Sequence, residues 1–158
     1  PGEGKFRDKL SELEQWMTTL PEDEFYGLIH YDLQPDNILW TNDSCYTIDF
    51  DDAAYYPFVA ELAFALEDIR QQEPEVEANM LAKFIEGYTS IKALPSSWSF
   101  QLEQFFTLMA ILKYARTQHA YHNTNPEIYP EWLTKMYNRH MKSMQETKQR
   151  LLQEWKKA

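Results

Sequence analysis

One cysteine, Cys45, leaves no partner for an internal disulfide in a chain of 158 residues. It fits a reducing compartment, so a cytoplasmic location is expected. Glycine is also scarce, at Gly2, Gly4, Gly27 and Gly87 only. Gly2-x-Gly4 lacks a third glycine and no Gly-Lys-Ser/Thr occurs, so a phosphate-cradling loop is missing. Positive charge is short as well, with 15 Lys+Arg against 25 Asp+Glu and a net charge of −10. Nucleic acids and anionic membrane surfaces need a positive patch, so neither is expected as a partner. No apolar run reaches the roughly 18 residues of a membrane span, because Pro57 and Glu61 break the best candidate. The chain opens Pro1-Gly2-Glu3-Gly4 without a signal peptide, and it reads as a piece of something longer.

What is present can fold. Hydrophobic residues make up 44% and aromatics 15%, too much for a disordered chain. A chain of this length forms one domain, expected over residues 1–158, and buries about 70% of its unfolded surface. Phe6, Leu10, Leu13, Met17 and Leu20 recur at helical spacing, which predicts an amphipathic helix over 5–19 that Pro21 ends. The acidic patch Glu22-Asp23-Glu24 follows. Gly27-Leu28-Ile29 is a short apolar run, and His30–Asn37 a polar loop. Ile38-Leu39-Trp40 and Tyr46-Thr47-Ile48 flank the turn formers Thr41-Asn42-Asp43-Ser44, which predicts a β-hairpin.

After Pro57 the pattern is helical. Val76, Met80, Phe84, Tyr88 and Ile91 form one stripe, widened by Leu81 and Ile85. Ser96-Ser97 are candidate caps for a helix from Trp98 to about Tyr121, whose middle, Phe105 to Ala115, reads as core. A last helix begins near Pro130 and turns Leu133, Met136, Tyr137, Met141, Met144, Leu151 and Trp155 inward, with Lys156 and Lys157 at its end. The expected class is mainly α (α+β), with a small hairpin near the front.

Chemistry concentrates in one stretch. His30-Tyr31-Asp32-Leu33-Gln34-Pro35-Asp36-Asn37 is followed, after the hairpin, by Ile48-Asp49-Phe50-Asp51-Asp52. A hairpin carries Asp49 back towards Asn37, gathering two carboxylates and an amide oxygen, a set suited to a hard divalent cation such as Mg2+. His119 and His122 sit three apart on a helix but lack an evident third metal ligand.

This stretch resembles the catalytic core of the protein-kinase-like superfamily, nearest to the aminoglycoside phosphotransferase and choline/homoserine kinase family. His30, Asp32 and Asn37 match its His-x-Asp-x-x-x-x-Asn loop, and Ile48 to Ala53 reproduce its Ile-Asp-Phe-(Asp/Glu)-Asp-Ala. The match is specific over about residues 25–66. It implies the C-terminal lobe of a small-molecule phosphotransferase that moves the γ-phosphate of ATP to an alcohol group, with Asp32 as the catalytic base. Asn37 and Asp49 are then the implied Mg2+ ligands. With Gln34, which stands where protein kinases carry a γ-phosphate Lys, they are also the implied nucleotide contacts. The nucleotide-binding N-terminal lobe has no counterpart here, so the chain alone is expected to be inactive without it. The fragment is expected to expose an apolar strip where that lobe and the nucleotide sit, with dimerisation or some disorder of the catalytic loop as a consequence. A small, amino-bearing acceptor suits the acidic balance.

Two departures touch the site. Tyr31 stands where the family usually has Gly, with the expectation that its bulk narrows the acceptor site or alters the loop. Glu61-Leu62-Ala63 stands for the family's Asp-Leu-Ala, whose Asp buttresses the loop. Tyr31 and the missing nucleotide half also motivate an alternative, a non-catalytic interaction module or pseudokinase lobe. Intact Asp32, Asn37 and Asp49 oppose it.

Overall fold

The computed structural model describes residues 3–22, 25–122 and 125–156, without the side chains of Gln71 and Glu127. Asp23 and Glu24 of the acidic patch, Gly2, and Lys157 lie outside the described residues. The elements run α1 (Glu3–Met17), β1 (Tyr26–Ile29), β2 (Ile38–Trp40), β3 (Cys45–Thr47), β4 (Ala54–Pro57), α2 (Phe58–Ala65), α3 (Pro74–Thr89), α4 (Trp98–Tyr121) and α5 (Glu131–Glu154). Two compact units result, one of Pro1–Thr18 with Thr107–Ala158, the other of Thr19–Phe106.

In the first unit, the helical periodicity of α1 places Phe6 and Leu13 on one buried face. Leu108, Ile111 and Tyr114 of α4 and Leu151 of α5 are buried too. The Phe6 ring lies 4.7 Å from that of Tyr114 and 5.1 Å, edge-on, from Trp155. The α4 core is one face only, since Ala115 is exposed. Pro130 stands just before α5, where its missing N–H costs nothing. His140 is occupied by a 2.8 Å hydrogen bond to the Tyr121 hydroxyl.

The second unit carries the polar motifs. Its core is Ile29, Val59, Ala60, Leu62, Ala63, Leu66, Leu102 and Phe105. The hairpin pairs Ile38 with Thr47, Leu39 with Tyr46 and Trp40 with Cys45. Thr41 closes the turn by donating its N–H to the Ser44 carbonyl at 2.8 Å. A second two-stranded sheet joins β1 to β4, antiparallel, with Gly27 opposite Tyr56 and Ile29 opposite Ala54. Strand β4 is not announced by the sequence. Gly27 is required by packing, because a Cβ there would meet the Phe58 ring at 2.8 Å.

Helix α2 is apolar and runs straight on from β4. Helix α3 departs from its expected role: none of its residues is buried, and Val76 and Met80 of its stripe are exposed. Ile91 lies beyond its end and is 90% exposed. Periodicity marks an apolar face but does not determine whether a neighbour covers it. At the start of α4, Ser97 accepts the Gln101 N–H on its carbonyl and the Gln101 side-chain amide on its hydroxyl, each at 3.0 Å.

Candidate active site

The loop after β1 is drawn tight by its own polar groups. Gln34 donates its N–H to the Asp32 carbonyl at 2.9 Å, and Asn37 its N–H to the Gln34 carbonyl at 2.9 Å. Pro35 opens a single 3-10 turn, Pro35–Asn37, and holds the preceding Gln34 extended at φ −109°, ψ 161°. The Asn37 side-chain amide donates to the Asp32 carbonyl at 2.9 Å and to its Oδ2 at 3.0 Å. Two acceptors on one side of the amide identify Nδ2 and leave Oδ1 facing away as an acceptor. Asp32 and Asn37 thus meet directly.

The hairpin brings in the third residue. One step past the Ile38–Thr47 pair, Ile48 donates its N–H to the Asn37 carbonyl at 3.0 Å. Asp49 follows at once, with φ 65° in the left-handed region. Left-handed backbone costs a residue with a β-carbon about 1–2 kcal/mol, a strain often found at functional sites. His30 shares in this construction. It is 6% exposed, and its Nε2 lies 2.7 Å from the Ile48 carbonyl. A carbonyl only accepts, so Nε2 carries the proton. The Phe50 ring sits 4.5 Å from the imidazole. His30 therefore ties the loop that carries Asp32 to the residues on both sides of Asp49.

Glu61 of α2 supports the same loop. Its Oε2 accepts the Tyr31 N–H at 3.2 Å, so the longer side chain still reaches. Burial pushes the Glu61 carboxyl up and nearby Asp32 adds to the rise, while the Tyr31 and His30 backbone N–H groups oppose it. Glu61 Oε1 and His30 Nδ1 are buried without a hydrogen-bond partner among the described residues. Tyr88 of α3 is half-buried, and this partial loss of solvent, then the Glu61 charge, push its hydroxyl up.

Sequence reasoning missed the left-handed backbone at Tyr31, φ 66°, and at Asp49. The family's Gly at position 31 was the available signal, since Gly adopts such angles freely. The Tyr31 ring is set against Tyr56 of β4 at 5.4 Å and Phe64 of α2 at 4.9 Å. Gln34 contributes backbone bonds, and no hydrogen bond of its side chain joins it to another described residue. Asp51 and Asp52 are exposed in a turn that the Ala53 N–H closes on the Phe50 carbonyl at 3.0 Å.

Among the described residues no cluster of three or more His, Cys, Asp or Glu could hold a metal. The remaining donors are Asn37 Oδ1 and the exposed Asp49 carboxylate, both hard oxygens. One carboxylate and one amide fit Mg2+ as it usually binds, through few protein ligands completed by phosphate oxygens and water. On the hairpin and just after it, Leu39, Trp40, Tyr46, Ile48 and Phe50 are each exposed, Trp40 at 73%, with Leu39 and Tyr46 paired on one face and Trp40 on the other. Among the described residues no helix is long and apolar enough to cross a membrane.

The sequence pattern of the phosphotransferase enzyme family matches residues 3–94, more than half of the chain. Among solved structures, the chain is similar to amicoumacin kinase hAmiN in complex with AMP-PNP, Ca2+ and Ami, with a TM-score of 0.70 and 21% identity. The similarity covers 92% of this chain and 44% of that one, so the chain spans less than half of that kinase's length. No curated protein matches the chain by sequence.

Proposed function

Since the chain belongs to the phosphotransferase enzyme family, we propose that it is the catalytic-loop lobe of an enzyme that passes the γ-phosphate of ATP to a hydroxyl of a small molecule. The observation that carries this reading is the Asn37 amide bound to both the carbonyl and the carboxylate of Asp32, with Asp49 two residues past the strand partner of Ile38. Asp32 is the base. With Oδ2 held by Asn37, its other oxygen takes the acceptor's proton as the acceptor oxygen bonds to the γ-phosphorus and the bond to the ADP oxygen breaks. Asn37 Oδ1 and Asp49 would hold Mg2+, which when bound would neutralise charge on the phosphate oxygens. Gln34 offers a neutral amide donor to the phosphate.

The solved neighbour's AMP-PNP and Ca2+ support nucleotide and divalent-cation use. The coverage of less than half of that kinase and the exposed apolar side chains between Leu39 and Phe50 support a single C-terminal lobe whose nucleotide lobe is supplied by further sequence of the natural polypeptide. The net charge of −10 favours an amino-bearing acceptor over an anionic one, and action in the cytoplasm accords with the single free cysteine.

The test is transfer from γ-labelled ATP with Mg2+ by the full natural polypeptide, screened over aminoglycosides, choline, homoserine and ketosamines. Loss of a general base typically lowers such rates about 10²–10⁴-fold, so Asp32→Asn should abolish transfer while ATP still binds. Turnover retained by that variant refutes Asp32 as the base. Absence of transfer to any acceptor, and of ATP binding, favours the non-catalytic module.

A further inference from the structure

The residue before the proposed base is held in a conformation its side chain does not favour. Tyr31 has φ 66°, in a region that a residue with a β-carbon populates about tenfold less readily than glycine does. Three contacts hold it there. Its N–H is accepted by Glu61 Oε2 at 3.2 Å. Its ring lies edge-on to Tyr56 at 5.4 Å and tilted against Phe64 at 4.9 Å. Burial first, then nearby Tyr31 and Tyr26, push the Tyr56 hydroxyl up from its ordinary value. Tyr56 is itself backed by Phe105, 6.0 Å away, and fixed by the pairing of β4 with Gly27.

The next residue is Asp32, whose carbonyl receives both Gln34 N–H and the Asn37 amide. The turn at residue 31 therefore sets the direction in which the Asp32 side chain leaves the backbone. Glycine could reach this angle unaided, and it would also be free to leave it.

We propose that Tyr31 is a positioning residue for the proposed base: its ring, seated between Tyr56 and Phe64, locks the left-handed backbone that aims Asp32. The inference rests on the functional reading above and adds a residue to it. Three substitutions separate the contributions. Tyr31→Phe keeps the ring in its seat. Tyr31→Gly removes the anchor and also the cost of the angle. Tyr31→Ala removes the anchor and keeps the cost.

The experiment is steady-state hydrolysis of MgATP by the full natural polypeptide, with water as acceptor, well below the melting temperature of every variant. The expected order of kcat is wild type and Tyr31→Phe together, within about twofold, then Tyr31→Gly, then Tyr31→Ala at least about tenfold down. KM for MgATP should stay within about twofold throughout, because residue 31 is not proposed to touch nucleotide. A residue that merely fills the core would lower melting temperature without splitting kcat from KM in the folded enzyme. Wild-type kcat in Tyr31→Ala, or a loss in Tyr31→Phe equal to that in Tyr31→Ala, overturns the proposal. Hydrogen exchange at the Gln34 and Asn37 amides decides it without turnover. Both should exchange about tenfold faster in Tyr31→Ala and unchanged in Tyr31→Phe, and unchanged exchange in Tyr31→Ala overturns it. A wild-type protein that neither binds nor turns over MgATP defeats the functional reading, while the exchange result still judges the role of Tyr31.

Discussion

Replacing Asn37 with Ala removes two hydrogen bonds at once and leaves the backbone that reports on their loss. The side-chain amide spans the Asp32 carbonyl at 2.9 Å and Asp32 Oδ2 at 3.0 Å. A neutral bond of this kind contributes about 1 kcal/mol net, and one to a charged group about 1.5–3 kcal/mol. Both residues are half-buried, so solvent competes and the low end applies. The loop should therefore lose about 2 kcal/mol. Ile48 donates its N–H to the Asn37 carbonyl, an interaction the substitution does not touch. Its exchange rate then measures how often the loop opens. Two kcal/mol corresponds to an increase of about 30-fold, since each 1.4 kcal/mol is tenfold. Crossing Asn37→Ala with Asp32→Ala isolates the carboxylate bond, with an expected coupling of about 1–1.5 kcal/mol. Native-state exchange by NMR reads both. Acceleration of less than about threefold, or a coupling below about 0.3 kcal/mol, would refute the claim that this amide organises the loop.

Two further outcomes follow from the surroundings of the loop. Gly27→Ala should cost about 1–3 kcal/mol in urea unfolding by overpacking, since its Cβ would fall 2.8 Å from Phe58 Cζ; Phe58→Leu in the same chain should return most of that loss, and failure to do so would point to backbone rather than ring as the obstacle. The Glu61 carboxyl is raised above its ordinary 4.5 in the folded state, chiefly by burial. Its protonated form thus favours folding, so its contribution is full below about pH 4.5 and falls as pH rises through the raised value. Melting temperature of the wild type minus that of Glu61→Gln should decline over that window, and a difference that climbs with pH contradicts the assignment.

Much of this protein is determined locally, and those parts are visible in the order of its residues. Phe6 and Leu13 recur on one helical face, and both end up buried in α1. Thr41 to Ser44 close the hairpin through their own short-range bonds. That hairpin returns Asp49 to Asn37, so the linear motif already implies where the polar groups gather. The proline before α5 and the apolar face of α4 are likewise properties of neighbouring residues.

The rest depends on partners distant in the chain. Strand β4 exists because β1 lies beside it, pairing Tyr26 with Pro57 across the loop and hairpin, and its four residues are too few to show a period. The stripe of α3 has the right spacing, yet Val76 and Met80 stay exposed, because covering a face is decided by what packs on it. The same holds for Tyr31. Its bulk next to Asp32 suggests a narrowed acceptor site or an altered loop, and where the ring goes is set by Tyr56 and Phe64, residues that only the sheet and α2 bring within reach. Sequence spacing determines which side chains share a segment. Only the tertiary structure could decide that a tyrosine takes a glycine's backbone angle, since the contacts that offset its strain come from residues 25 to 33 positions away.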